Sequence, residues 1–390
     1  MPHHSKLATA SPRLVLALLV LLACPVTQTG AAVSVEKLPA PGVQPQIVTA
    51  PDGMVHLIYL TGEPGSSDII YRTQRSGEST WSDPLRVNSQ PGSAIAIGTI
   101  RGPQFALGRN GRMHVAWNGS QSAAPSPVNG GSPLLYARLN EDGKGFSAQR
   151  NLMTATHELD GGGSVAADAD GRVWVVWHAS PAGSHGETNR AVFLAQSSDD
   201  GSTFAPERAI SPPRTGACGC CGLTAFANAR GEAFVLFRAA RSMMQRDMVL
   251  LGSAEHAESF KEVLSDPWVV GMCPMSSASL TGLAAGAGAA WETAGRIRLA
   301  RFGDQQANAK ARDIGPLTGA KHPRLASNSR GETLVVWTVG TGWQRGGSFG
   351  WQVLAATGEP TAEKGERDGI PVWSFAAPYA RPDGSFVILY

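Results

Sequence analysis

The stretch SVAADADGRVWVVW, residues 164–177, decides the fold. Asp170-Gly171 separates a short strand of small residues from a run of valines and tryptophans. Glycine supplies the positive φ that a tight hairpin turn demands. β-Branched and aromatic residues suit buried sheet, so VWVVW predicts a strand inside a stack of sheets. The same figure recurs as QIVTAPDGMVHLIYL (46–60), QFALGRNGRMHVAW (104–117) and LTAFANARGEAFVLF (223–237). It returns as the weaker SLTGLAAGAGAAW (279–291), then as RLASNSRGETLVVW (324–337) and APYARPDGSFVILY (377–390). Two further strand-like stretches separate successive copies, such as AVFLAQ (191–196) and FAPERAI (204–210) after the third. Four strands at a period near 50 residues make one blade of a β-propeller. Blades cannot bury their faces singly, and a ring of them leaves no open end.

The expected fold is therefore all-β, a propeller of four-stranded blades. Seven copies favour seven blades. Six is the alternative, with the glycine-rich fifth copy as the suspect. The last copy supplies only two strands before Tyr390, so Val33–Ala40 is expected to add an outer strand and close the ring.

Gly 46, Pro 26 and only 16% charged residues fit a turn-rich β protein, and 42% hydrophobic residues provide a core. No Pro/Ser-rich linker or charge run divides residues 33–390, which predicts one domain. A net charge of +2 leaves no electrostatic footprint for nucleic acid. Lys6 and Arg13 precede the apolar run Leu14–Ala23, and small residues follow at Gly30, Ala31 and Ala32. That pattern predicts a secretory signal over residues 1–32 and an exported chain, periplasmic or extracellular. The run is short of the roughly 18 apolar residues of a membrane span, and no later segment has them. A second reading takes Leu21-Leu22-Ala23-Cys24 as a lipobox with a lipid anchor on Cys24.

Ser197-Ser198-Asp199-Asp200-Gly201-Ser202-Thr203-Phe204 fits the pattern S-x-D-x-G-x-T-W/F in full. Degenerate versions stand at the same phase in Ser253–Phe260, Asn140–Phe146 and Gly77–Trp81. The chain thereby resembles the sialidase-like, Asp-box (BNR-repeat) propellers, and blades four and five resemble a bacterial subgroup of them. The resemblance implies that Ser197, Asp199, Gly201, Thr203 and Phe204 fasten a turn on the face away from any active site. It also implies a glycoside hydrolase with an arginine triad, a Tyr/Glu pair and an Asp acid/base. The chain departs from that set. No Arg-Ile-Pro motif is present, Arg101-Gly102-Pro103 being a faint echo, and only 5 tyrosines are available.

In a propeller, the loops entering the inner strands and leaving the second strands share one face. Its most unusual content here is sulfur. Cys218, Cys220 and Cys221 enter blade four and Cys273 enters blade five. An exported chain with four such cysteines predicts two disulfides. The alternative is a soft-metal site, because thiolates with nearby Met and His select Cu(I) or Zn. The second cluster is basic. Arg238, Arg246 and Asp247 follow the strand FVLF, and with Asp160 and His157 they are the candidate catalytic groups. Arg241, His322, Arg324 and Trp343 are the candidate substrate contacts, since Arg forks grip carboxylates and Trp stacks on sugar rings. Trp351 is a further stacking candidate, and the Trp residues ending the second strands read as core between blades.

Three functions follow as expectations: an exported sialidase-like hydrolase of acidic or complex glycans, a non-catalytic binding or scaffold propeller of the envelope, and a copper-type soft-metal binder. None requires a cofactor beyond that metal ion, and the expected partner is a glycan or another extracytoplasmic ligand.

Overall fold

A computed structural model describes residues 1–3, 30–253, 259–283, 286–303 and 310–390. The apolar run of the signal, Cys24 and most of the Ser253–Phe260 turn lie outside the described residues. Among the described residues twenty-seven strands form seven sheets, six of four strands and one of three. Among the described residues the sole helical element is one 3₁₀ turn, Arg109–Gly111. The six four-stranded sheets are antiparallel meanders of consecutive strands. In each, the inner strand is followed by the strongly apolar second strand, for example Gly163–Ala167 then Val173–Ala179 in blade three.

The run VWVVW shows why the pattern gives this architecture. Side chains alternate across a strand. Val173, Val175 and Trp177 pack toward blade two with Tyr136 and Leu134. Trp174 and Val176 pack toward blade four with Val235, Phe237 and Leu251. Both faces are apolar because both are covered. Burying each Trp contributes roughly 2–3 kcal/mol. Equivalent clusters fill the other five junctions, including Val55, Leu57 and Tyr59 against Val387 and Leu389 between blades one and seven. The turn at Gly171, at φ +85°, is fastened by Asp168, whose Oδ1 accepts from the backbone N–H of Asp170 and of Arg172.

The fifth copy is a complete blade: Ser279–Gly282, Ala287–Thr293, Arg296–Phe302 and Arg312–Ile314. Its weak turn signal reflects a strand built from Gly and Ala around Trp291, which packs both ways with its neighbours. Seven blades are present. All seven inner strands line an axial cavity of about 120 Å³, reached by Gln46, Gln104, Ser164, Thr224, Ser279, Arg324 and Ala377 among others.

Ring closure differs in detail from the expectation. Val33–Glu36 does join blade seven, pairing parallel with Phe386–Leu389. Among the described residues it is the third strand of that blade, on the outer side of Phe386–Leu389. Ala31 is buried, its N–H donates to Glu332 Oε1 at 3.0 Å, and the Ala32 carbonyl accepts from Phe386 N–H at 2.9 Å. The Tyr390 carbonyl accepts from Leu38 N–H at 3.0 Å. The two ends of the chain thus seal one blade.

Candidate functional site

The loop that enters blade four carries the three neighbouring cysteines. Backbone bonds fix it to its surroundings. Cys218 N–H donates to the Arg238 carbonyl at 2.9 Å, Ala217 N–H to the Glu187 carbonyl at 2.9 Å, and Gly222 N–H to the Ser276 carbonyl at 3.1 Å. Gly219 N–H donates to Glu187 Oε1 at 2.6 Å. A blade-three loop packs directly on top. A Cβ on Gly161 would stand 2.3 Å from the Gly219 carbonyl oxygen and 2.8 Å from that of Cys221, so only glycine fits there.

The loop brings the sulfurs of Cys218, Cys220 and Cys221 within 4.8 Å of one another. Cys218 Sγ and Cys220 Sγ are 3.3 Å apart, against about 2.05 Å for a disulfide. All four described cysteines are free thiols, so the expected pair of disulfides is not formed. The expectation that Cys273 completes the cluster also fails. It is exposed and stands apart from the three. Burial alone would push the Cys221 thiol up. Hydrogen bonds from the Cys218 and Cys220 thiols, with the Arg238 charge, hold it well below its ordinary value. Cys218 is pushed up by its bonds to Cys220 and Cys221 and by burial. Cys220 is pulled down by Cys218, but its bond to Cys221 and its burial carry it upward.

Arg238 lies beneath this cluster, fully buried. Its Nη1 donates to the Arg246 carbonyl at 2.9 Å, its Nη2 donates to the Glu292 carbonyl and stands 3.8 Å from Glu292 Oε2, and its guanidinium covers the Trp268 ring at 4.8 Å. Burial pushes the Glu292 carboxyl up, against the pull of Gly295 N–H and Arg238. Around the cluster runs a chain of alternating charge, Arg101–Asp160–Arg190–Glu187–Arg246, linking the loops of blades two, three and four.

This network corrects the reading of the basic loop as an open carboxylate grip. Arg238 faces no solvent. Arg246 pairs with Glu187 at 2.7 Å, and Asp247 pairs with Arg241 at 3.0 Å while accepting from Trp268 N–H at 3.2 Å. Arg241 also reaches Glu262 at 3.4 Å. Asp160 is held between Arg101 and Arg190. His157 sits in the blade-three loop, next to Glu158 and His185 rather than the arginines. His178 is fully buried, and burial disfavours its cation and brings its value to about 4.

The axis is covered on this face. Residues 94–102 cross it, so that Thr99 Oγ1 of the blade-two entry loop meets His322 Nε2 of blade six at 3.0 Å. His322 Nδ1 accepts from Ser277 N–H at 3.2 Å, and burial then Arg324 hold its value near 3. Arg324 is spent on the Ser277 hydroxyl, two carbonyls and the Phe375 ring, 3.9 Å away. Beside the covering loop a cleft of about 30 Å³ is lined by Lys321, His322, Trp343, Arg345 and Trp373. That is far below the roughly 300 Å³ at which ligand pockets begin. Trp343 is 53% exposed and meets Trp373 edge-on at 5.9 Å. Trp351 lies elsewhere, in the third strand of blade six, with its Nε1 toward Glu363 of the outer strand.

All five tyrosines are buried in the blades. Tyr71 and Tyr136 bond His56 and His114, Tyr59 accepts from Arg72, Tyr379 reaches Gln74, and Tyr390 lies under Lys37. The turn at Ser197–Phe204 is held by Asp199, whose Oδ1 accepts from Ser197 Oγ and Thr203 N–H and whose Oδ2 accepts from Thr203 Oγ1 at 2.6 Å. Asp200 N–H donates to the carbonyl of Gly171, so this turn lies with the inner hairpin turns, opposite the cysteine loop. Sequence reasoning missed Glu187, Arg190, Trp268 and Trp373. Each acts through contacts with residues distant in sequence, which no local pattern announces.

No family model matches the chain, and no curated protein matches it in sequence. Solved structures do match. A protein of unknown function from Dyadobacter fermentans aligns over 89% of this chain and 100% of its own, at 14% identity and a TM-score of 0.50. A Hadza microbial sialidase aligns over 80% of this chain and 68% of its own, at 12% identity and a TM-score of 0.49. NanB sialidase from Streptococcus pneumoniae aligns over 88% and 64%, at 12% identity and a TM-score of 0.43. At these identities the likeness is one of fold.

Proposed function

We propose that this chain is an exported β-propeller that binds a soft metal ion, Cu(I) or Zn²⁺, through Cys218, Cys220 and Cys221. The observation that carries the reading is the convergence of three unbridged sulfurs within 4.8 Å. Thiolates on one zinc ion stand roughly 3.8 Å apart, so the loop needs only small adjustments to ligate. The buried Arg238 charge favours the anionic sulfur that a metal requires. Soft sulfur donors select Cu(I) or Zn over harder cations. Met243, Met244 and Met272 are exposed on the adjoining segments and offer thioethers on the approach. The ion would be held by the three thiolates and would supply Lewis acidity or a bound cargo. The chain's own residues exclude water and set the charge.

The test is Cu(I) titration of the reduced full chain against a chromophoric chelator, with thiols counted on the unreduced protein. One equivalent bound, lost in Cys218→Ser, supports the reading. A Cys218–Cys220 disulfide in the isolated protein, or unchanged uptake by Cys221→Ser, overturns it.

A second reading, a glycan-binding face, is favoured by the exposed Trp343–Trp373 pair with Arg345 beside it. Hydrolysis is less supported than binding. The candidate arginines are consumed by Glu187, Glu292 and Asp247.

A further inference from the structure

The blade-three loops hold a second group of metal-type donors. His157, Glu158 and His185 place their ligand atoms within 4.8 Å of one another. His157 is pinned ahead of the inner strand by a reciprocal pair of backbone bonds with Ser180, at 3.0 and 2.8 Å. In extended chain its neighbour would point the opposite way. Glu158 instead adopts φ +59°, a left-handed conformation that is costly for a residue with a side chain, and this returns its carboxylate to the side of His157.

The two carboxylate oxygens are treated differently. Oε2 accepts from Ser180 Oγ at 2.7 Å and from Gly186 N–H at 3.3 Å. Oε1 is left facing His185 Nδ1 at 2.6 Å. Outer partners orient one oxygen and leave the other directed at His185, where an ion would take the place of the Glu158–His185 hydrogen bond. The His157 ring makes no hydrogen bond among the described residues, and lies 5.2 Å from the His185 ring, centroid to centroid. A plain surface pair of His185 and Glu158 would explain neither the idle His157 nor the backbone conformation at Glu158.

We infer that His157, Glu158 and His185 form a second, independent metal site, for a zinc-type divalent cation. Two imidazoles and a carboxylate suit Zn²⁺ and related ions, whereas the thiol cluster suits Cu(I). Ligand atoms on one such ion stand roughly 3.4 Å apart, within reach of the present spacing. His185 is exposed, so the fourth position opens to solvent and takes water or a small anion.

Co²⁺ serves as the probe, titrated into the full reduced chain, because cobalt–thiolate charge transfer marks the cysteine site and its absence marks nitrogen and oxygen donors. The expected result is a Co²⁺ component without that band, displaced by Zn²⁺. His185→Ala, at an exposed position, should weaken this component about tenfold or more and leave any thiolate band untouched. Glu158→Gln, which keeps the Ser180 contact, should weaken it as well. The inference is overturned if no such component exists, or if His185→Ala leaves it unchanged. Failure of the cysteine reading would show separately, as loss of the thiolate band alone.

Discussion

Arg246 Nη2 lies 2.7 Å from Glu187 Oε2, across the boundary between blades four and three. The same Glu187 takes the Gly219 N–H on its other oxygen, so one carboxylate clamps both the arginine loop and the cysteine loop. The arginines that a sequence reader would offer to a substrate are thereby turned to holding the thiols in place.

Glu187→Gln should therefore act on the cysteines as well as on stability. The expected loss is about 1–2 kcal/mol in urea unfolding, from weakening a charged pair and a hydrogen bond to charge. The half-buried Cys220 should also react faster with a disulfide reagent. Unchanged thiol kinetics in a folded variant would show that the clamp does not order the loop.

Acid should destabilise the protein in a definite window. His322 is held neutral in the fold, near 3, by burial and by Arg324, while in the unfolded chain it titrates near 6.5. Below pH 6.5 the unfolded state binds the extra proton, so stability falls as pH drops from about 6.5 toward 3. The cost is about 3 kcal/mol by pH 4. His322→Asn tolerates the φ of +51° and cannot titrate, so its unfolding free energy should vary less over that range. Parallel curves for the two proteins would rule His322 out as the source.

Ring closure depends on four residues near the N-terminus. Deleting residues 31–36 removes the parallel partner of Phe386–Leu389 and the Ala31–Glu332 bond. Thermal unfolding should drop sharply, with concentration-dependent association through the bared strand edge. A monomer of undiminished melting temperature would mean that blade seven holds without its third strand.

Asp199→Ala tests the opposite face. Its carboxylate fastens the Ser197–Phe204 turn and touches no loop of the cysteine face. The expected cost is about 1 kcal/mol of stability with metal uptake unaltered. A change in Cu(I) or Co²⁺ binding would show that the two faces are coupled.

The blade repeat was legible because it is local. A hairpin turn such as Asp170-Gly171 and an alternating strand such as VWVVW carry their conformations in neighbouring residues, and seven copies in phase leave few ways to bury both faces. The same logic located Cys218, Cys220 and Cys221 on the loop face and read Trp177 as core between blades. What it could not supply was partnership.

The sequence by itself determined the propeller, its phase and the gathering of three thiols on one loop, since each follows from residues a few positions apart. The tertiary structure alone decided that Arg238 is sealed under those thiols, that Cys273 stands outside them, and that Thr99 meets His322 over the axis. Those relations join blades far apart in sequence. They are set by which charges and ring nitrogens find partners once the ring closes, and a one-dimensional pattern holds no record of that choice.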